Sequence, residues 1–159
     1  MNKSVVEKLM WSIAFPGFGQ YLNGKLFKGT FLLIIEILIN VQANFNQIIL
    51  FSFHGEIGNA INHANYQWLM FYPCLYFFSM WDAVKDAGGG GKSHYSFLPY
   101  VFSAFFVTVG LILSSNLTIF GGVLLGGPVW LPILFVLPGL ITGIIIKKII
   151  TILNKPSRS

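Results

Sequence analysis

The stretch Ala14-Phe15-Pro16-Gly17-Phe18-Gly19-Gln20-Tyr21-Leu22-Asn23-Gly24-Lys25-Leu26-Phe27-Lys28-Gly29 runs directly into an apolar segment over residues 30–50. Proline and glycine at this density break a helix soon after Phe15. Lys25 and Lys28 then stand at the mouth of a run whose single charged residue is Glu36. A turn-rich, cationic hinge feeding a helix of that apolarity marks a chain that enters lipid. Between Lys8 and Lys25 lie 16 uncharged residues, 9–24, whereas a spanning helix needs about 20. A short helix that dips into the inner leaflet and returns through the Pro-Gly turn suits that length. It gives a re-entrant hairpin over about residues 5–29, with Trp11 and Tyr21 at the interface. A full first span is the rival reading.

Composition points the same way. Of the 159 residues, 55% are hydrophobic and 9% charged, with a mean hydropathy of +0.71. A soluble domain carries about 25% charged residues, so the bilayer is the natural solvent. The net charge of +5 sits at the ends of apolar runs, where the cytoplasmic leaflet attracts cations. No Lys/Arg cluster interleaves with aromatics, which speaks against a nucleic-acid surface. Cys74 is the lone cysteine, so an internal disulfide and a Cys-based metal cluster are both excluded. Glu7 and Pro16 interrupt the first apolar stretch and no A-x-A site follows, which argues against a cleaved signal peptide.

Four spans follow from the remaining apolar runs, at about residues 30–51, 66–82, 97–115 and 129–146, with a cytoplasmic linker over 83–96. The expected architecture is a single all-α domain, a polytopic membrane helical bundle. Between the first two spans, Ile57, Ala60, Ile61 and Ala64 recur at helical spacing with Asn59, Asn62 and His63 elsewhere on the wheel. That pattern predicts a short amphipathic helix on the outer surface. Asn116-Leu117-Thr118 predicts a tight outer turn, and Gly126-Gly127-Pro128 breaks the last apolar stretch before its span. With four spans and both termini inside, all ten Lys and Arg residues face the cytoplasm. A fifth span in its best orientation would leave Lys3 and Lys8 outside, eight against two, so positive-inside bias favours four plus the hairpin.

Few constellations could carry chemistry. Gly88 to Gly91 with Lys92 and Ser93 imitates the end of a phosphate-binding loop, but Asp86 occupies the position of the first required glycine. A flexible linker accounts for it better. Glu36, Asn40, Asn44 and Gln47 fall at i, i+4, i+8 and i+11, one face of the first span. Such a stripe must face protein or a wet cavity, because unpaired polar groups in lipid cost several kcal/mol each. It either cross-links helices or lines an ion or proton path. Tyr72, Tyr76 and Ser79 on the second span are candidate partners of Glu36, and so are Gln20 and Asn23 on the hinge. His54, Glu56 and His63 lack the spacing of a zinc site, and Asp82 and Asp86, with Lys85 between, read as a solvated helix end. Gly122 with Gly126, and Gly139 with Gly143, permit close helix packing. No catalytic set, metal site or cofactor fingerprint emerges.

At Phe15 to Gly24 and at Lys28-Gly29 the chain resembles the TM2-domain proteins, whose first apolar segment ends in a Gly-x-Gly-[His/Gln]-[Phe/Tyr]-Tyr-x-Gly-like turn before a second hydrophobic helix. Here a Pro-Gly turn stands where that family has a longer first helix. The phrases Gln67 to Pro73, Trp81-Asp82-Ala83 and Gly127 to Pro132 further resemble small membrane proteins of Gram-positive bacteria whose activity is uncharacterised. The resemblance implies an integral membrane location and brings no activity with it. The hinge residues it covers are Pro16, Gly17, Gly19, Gln20, Tyr21, Gly24, Lys28 and Gly29. The expected function is therefore structural or partner-binding within the membrane. A small channel or transporter using the Glu36 stripe is the first alternative. A membrane enzyme or lipid head-group binder is the second. Candidate partners are the bilayer itself, a second copy of the chain and another membrane protein.

Overall fold

A computed structural model of the protein describes residues 3–89, 94–119, 123–124 and 126–154. Helices dominate, and the fold class is all-α. Helix α1 (Lys3–Ala14) stops where Pro16 and Gly17 follow. Gly17 takes φ 104, a conformation that side chains disfavour, and caps the short helix α2 (Phe18–Leu22). The space there is as restrictive as the angle, since a Cβ on Gly17 would lie 2.6 Å from the Gly29 carbonyl oxygen. Helix α3 (Leu26–Gln42) leaves the hinge after Lys25.

The run expected as one helix over 30–51 is two. Helix α4 (Phe45–Phe53) follows α3 at a bend of 63°. Asn44 makes the corner with φ 58 and ψ 31, a left-handed state that asparagine tolerates better than most residues. Its side-chain amide donates to the His63 carbonyl at 3.0 Å, which ties the corner to the end of α5 (Ile57–His63). In α5, Ala60 is buried while Asn59, Asn62 and His63 are exposed.

The 66–82 segment is likewise interrupted. Helix α6 (Tyr66–Leu69) gives way at Met70 and Phe71 to α7 (Tyr72–Asp86). Pro73 sits in the first turn of α7 and has no N–H to return to the Leu69 carbonyl, so the ladder restarts there. Helix α8 (Leu98–Leu113) matches the third expected segment closely. Strands β1 (Thr118–Ile119) and β2 (Val123–Leu124) pair antiparallel, Thr118 with Leu124 and Ile119 with Val123. Helix α9 (Gly127–Leu153) starts before 129 and runs past 146, with Pro132 and Pro138 inside it.

Helices α8 and α9 form the closest pair. A Cβ on Gly139 would lie 2.7 Å from the Phe102 carbonyl oxygen, and one on Gly143 would lie 2.5 Å from Pro99 Cα. Gly126 has another role from that read in sequence. It is the α9 N-cap at φ 74, where a Cβ would strike Trp130 of its own helix. Gly122, its expected packing companion, lies outside the described residues, as do Lys92, Ser93 and the last two of the four consecutive glycines. Ala43, Ile48, Ala60, Leu69, Leu111 and Val129 make an apolar core where α4, α5, α6, α8 and α9 meet.

Polar side chains share the interior with that apolar core, and large apolar side chains are exposed. Ser12, Gln20, Glu36, Ser79, Asp82 and Ser103 are buried, while Phe27 is 86% exposed and Ile141 57%. Helix α9 is long and apolar enough by itself to cross a membrane, and the bent pair α3–α4 passes the same test together.

Candidate functional site

The polar groups converge in two places. The first is a clasp between the Pro-Gly hinge and α7. The Gly17 N–H donates to Ser79 Oγ at 3.2 Å. Gln20 lies one turn further on and is fully enclosed. Its amide nitrogen donates to the Ser79 carbonyl at 2.9 Å and to Asp82 Oδ2 at 3.1 Å. Asn23 then donates to the Ala83 carbonyl at 2.8 Å. The register works because Gln20 and Asn23 are three apart on one side of a tight helical turn, facing the successive turns of α7 that carry Ser79 and Ala83. Close approach is possible because Gly19 has no side chain: a Cβ there would strike Ser12 Oγ, the Lys8 carbonyl and Ala83.

Lys28 completes the clasp from the first turn of α3. Its ammonium reaches Asp82 Oδ1 at 2.8 Å and Asp86 Oδ2 at 3.0 Å. The hydrogen bond to Asp82, then that to Asp86, hold its pKa above the ordinary lysine value of 10.5, against a smaller opposing effect of burial. Asp82 is therefore buried and paired rather than part of a solvated helix end, while Asp86 stays exposed as expected. Lys85 between them turns aside and stacks on the Trp81 ring, 4.8 Å from its centre. The i, i+4 spacing of the two acids was the available signal, since it places both on one helix face. Their cation lies 54 residues away for Asp82 and 58 for Asp86, beyond the reach of local reading. Within the hinge, Tyr21 Oη pairs with Thr30 Oγ1 at 2.8 Å, its ring packs against Gly29, Pro16 is buried, and Gly24 turns the chain at φ 71.

The second place is Glu36, 1% exposed. Tyr72 donates to its Oε1 at 2.6 Å, while Oε2 is buried with no partner among the described residues. Of the residues expected around Glu36, only Tyr72 hydrogen-bonds to it. Tyr76 donates instead to the Ile13 carbonyl, and Ser79, Gln20 and Asn23 belong to the clasp. Nor do Glu36, Asn40, Asn44 and Gln47 form one continuous stripe. The bend at Asn44 separates α3 from α4, and Asn44 and Gln47 are exposed.

Between these helices and the α8–α9 pair runs an apolar groove of about 930 Å³, lined from α1, α4, α7, α8 and α9. Lys85 and Lys147 are the two charged side chains that line it among the described residues. No group of three His, Cys, Asp or Glu residues able to hold a metal ion occurs among the described residues. Comparison with protein-family models, with curated proteins and with solved structures finds no match to this chain.

Proposed function

We propose that the chain is a polytopic membrane protein of four spans, at about residues 30–51 on α3–α4, 66–82 on α6–α7, 97–115 on α8 and 129–146 on α9, with Lys28, Lys85 and Lys147 outside them, resembling the TM2-domain proteins around its hinge. In this reading α1 and α2 form a hairpin seated from the cytoplasmic side, both termini are cytoplasmic, and the protein acts by binding within the bilayer rather than by catalysis. The observation that carries the reading is an apolar exterior around enclosed polar groups. Phe27, Phe31, Leu137 and Ile141 face outward while Gln20, Glu36 and Asp82 are enclosed. An apolar exterior of that extent does not persist in water, and an enclosed polar set is what lipid demands.

The 27 residues of α9 extend for about 40 Å, enough for a hydrocarbon core of about 30 Å. Helix α8, with 16 residues or about 24 Å, crosses it only together with the turn residues at its ends. The clasp supports a structural role for the hinge. Its polar atoms bond to one another and leave no reactive group poised toward a substrate. Extraction with alkaline carbonate should leave the protein in the membrane pellet. In a Cys74→Ala background, Lys25→Cys should react with an impermeant maleimide only after permeabilisation, and His63→Cys should react in intact cells. Release into the carbonate supernatant, or labelling of both sites from one side, sinks the reading.

One observation favours a second reading, a proton or ion path: the unpartnered Oε2 of Glu36. It requires pH-dependent flux in reconstituted vesicles that disappears in Glu36→Gln. Flux no greater than that of empty vesicles removes it.

A further inference from the structure

The groove between α7 and the α8–α9 pair has a polarity that selects its occupant. Lys85, near the end of α7, and Lys147 of α9 line it, and among the described residues no Asp or Glu does. The nearest carboxylates, Asp82 and Asp86, are already engaged by Lys28. Among the described residues neither groove lysine has a carboxylate partner. The Lys85 ammonium rests on the Trp81 ring, 4.8 Å from its centre, which leaves it without an anion, as Lys147 is. Below Lys147, the residues Ile144, Leu140 and Val136 line the groove at successive turns of α9. Those turns cover about 16 Å, close to the depth of one leaflet, about half of a 30 Å core. Trp81, one turn below Lys85, also lines the groove, and its buried indole N–H has no acceptor among the described residues.

We propose that this groove holds one acyl chain of an anionic phospholipid, with the phosphate on Lys85 and Lys147 and the chain running along α9 toward Val136. The inference rests on the membrane reading above. A volume of about 930 Å³ falls at the upper end of the range for small-molecule sites, roughly 300–1,000 Å³. A helix from a second copy or another protein fits less well. Helices in lipid meet through small residues, and the groove walls present Trp81, Tyr100, Ile133 and Leu140. The small residues Gly139 and Gly143 are already closed against α8.

The test uses the full chain with Trp11, Trp68 and Trp130 replaced by Phe, leaving Trp81 as the reporter. It is reconstituted into phosphatidylcholine vesicles containing a minority of either chain-brominated phosphatidylglycerol or chain-brominated phosphatidylcholine. Bromine on a chain in the groove quenches Trp81. Each lysine near an anionic headgroup contributes roughly a fivefold preference. The anionic lipid should therefore quench with an apparent affinity on the order of 30-fold higher. Lys85→Gln with Lys147→Gln should bring the two lipids to parity, and Val136→Phe should weaken quenching by both. Equal quenching by the two lipids in the unmodified groove overturns the proposal, as does a preference that survives loss of both lysines. Crosslinking of Ile133→Cys between copies, with Trp81 unquenched, assigns the groove to a second chain and also overturns it. Failure of the membrane reading shows separately, as release of the protein by carbonate. Retention in the pellet without lipid preference rejects the lipid site alone.

Discussion

Gln20→Met is the sharpest perturbation of the clasp. Gln20 is fully enclosed, and methionine fills nearly the same volume, so packing changes little. What disappears is the donor pair: 2.9 Å to the Ser79 carbonyl and 3.1 Å to Asp82 Oδ2. A neutral hydrogen bond contributes about 1 kcal/mol and one to a charged group about 1.5–3 kcal/mol. Contacts between helices in lipid average lower, near 0.6 kcal/mol. Together these put the loss at about 2–3 kcal/mol, roughly 30- to 150-fold in the folding equilibrium. The assay is reversible unfolding in mixed dodecyl sulfate micelles, followed by tryptophan fluorescence. Gln67→Met, at an exposed position, is the control and should change stability by less than about 0.5 kcal/mol. A loss that small for Gln20→Met as well would show that the hinge stays on α7 without the clasp, and the reasoning would fail.

Three further outcomes are expected. Lys28 sits above its ordinary pKa because Asp82 and Asp86 bond to its ammonium. Its contribution is therefore complete below the unfolded lysine value and fades as pH climbs through the higher folded one. The stability gap between the protein and Lys28→Met should hold constant from neutral pH to about 10 and narrow only above it, as alkaline unfolding titrations would record. Gly139→Ala must push the Phe102 backbone back from 2.7 Å, which predicts a loss of about 1–3 kcal/mol, measured by the same unfolding assay; no loss would show that α8 and α9 can separate freely. At Asn44, with φ 58, Asn44→Ala should cost about 1–2 kcal/mol in backbone strain beyond the bond to His63. Asn44→Gly should cost less, and the reverse order in thermal melts would remove the left-handed corner.

Much of this was legible in the residues because it is local. The break after Phe15, the apolar runs and the amphipathic spacing around Ala60 all depend on neighbours within a few positions. The meeting of Glu36 with Tyr72 was legible too, since a buried acid calls for a donor and the next apolar run offers Tyr72, with Tyr76 and Ser79, on one face. Two things were hidden. Asn44 has two readings, a polar residue on a helix stripe and a left-handed corner, and only the packing of α5 against it chooses the corner. Asp82 looks solvated beside Lys85, and its burial depends on a lysine on another helix. Periodicity carries no record of such long-range pairing.

The clasp also imposes an order on assembly. Lys28 and Asp82 are 54 residues apart, so their pair cannot close until the chain has been made through α7. At about 5–20 residues per second of synthesis, the hinge waits roughly 3–11 s for its partner. Throughout that interval Ser12 and Gln20, both fully buried at the end, have no α7 to cover them. Until α7 has been made, the Pro-Gly turn has only its own backbone, Gly17 at φ 104 included, to shape it.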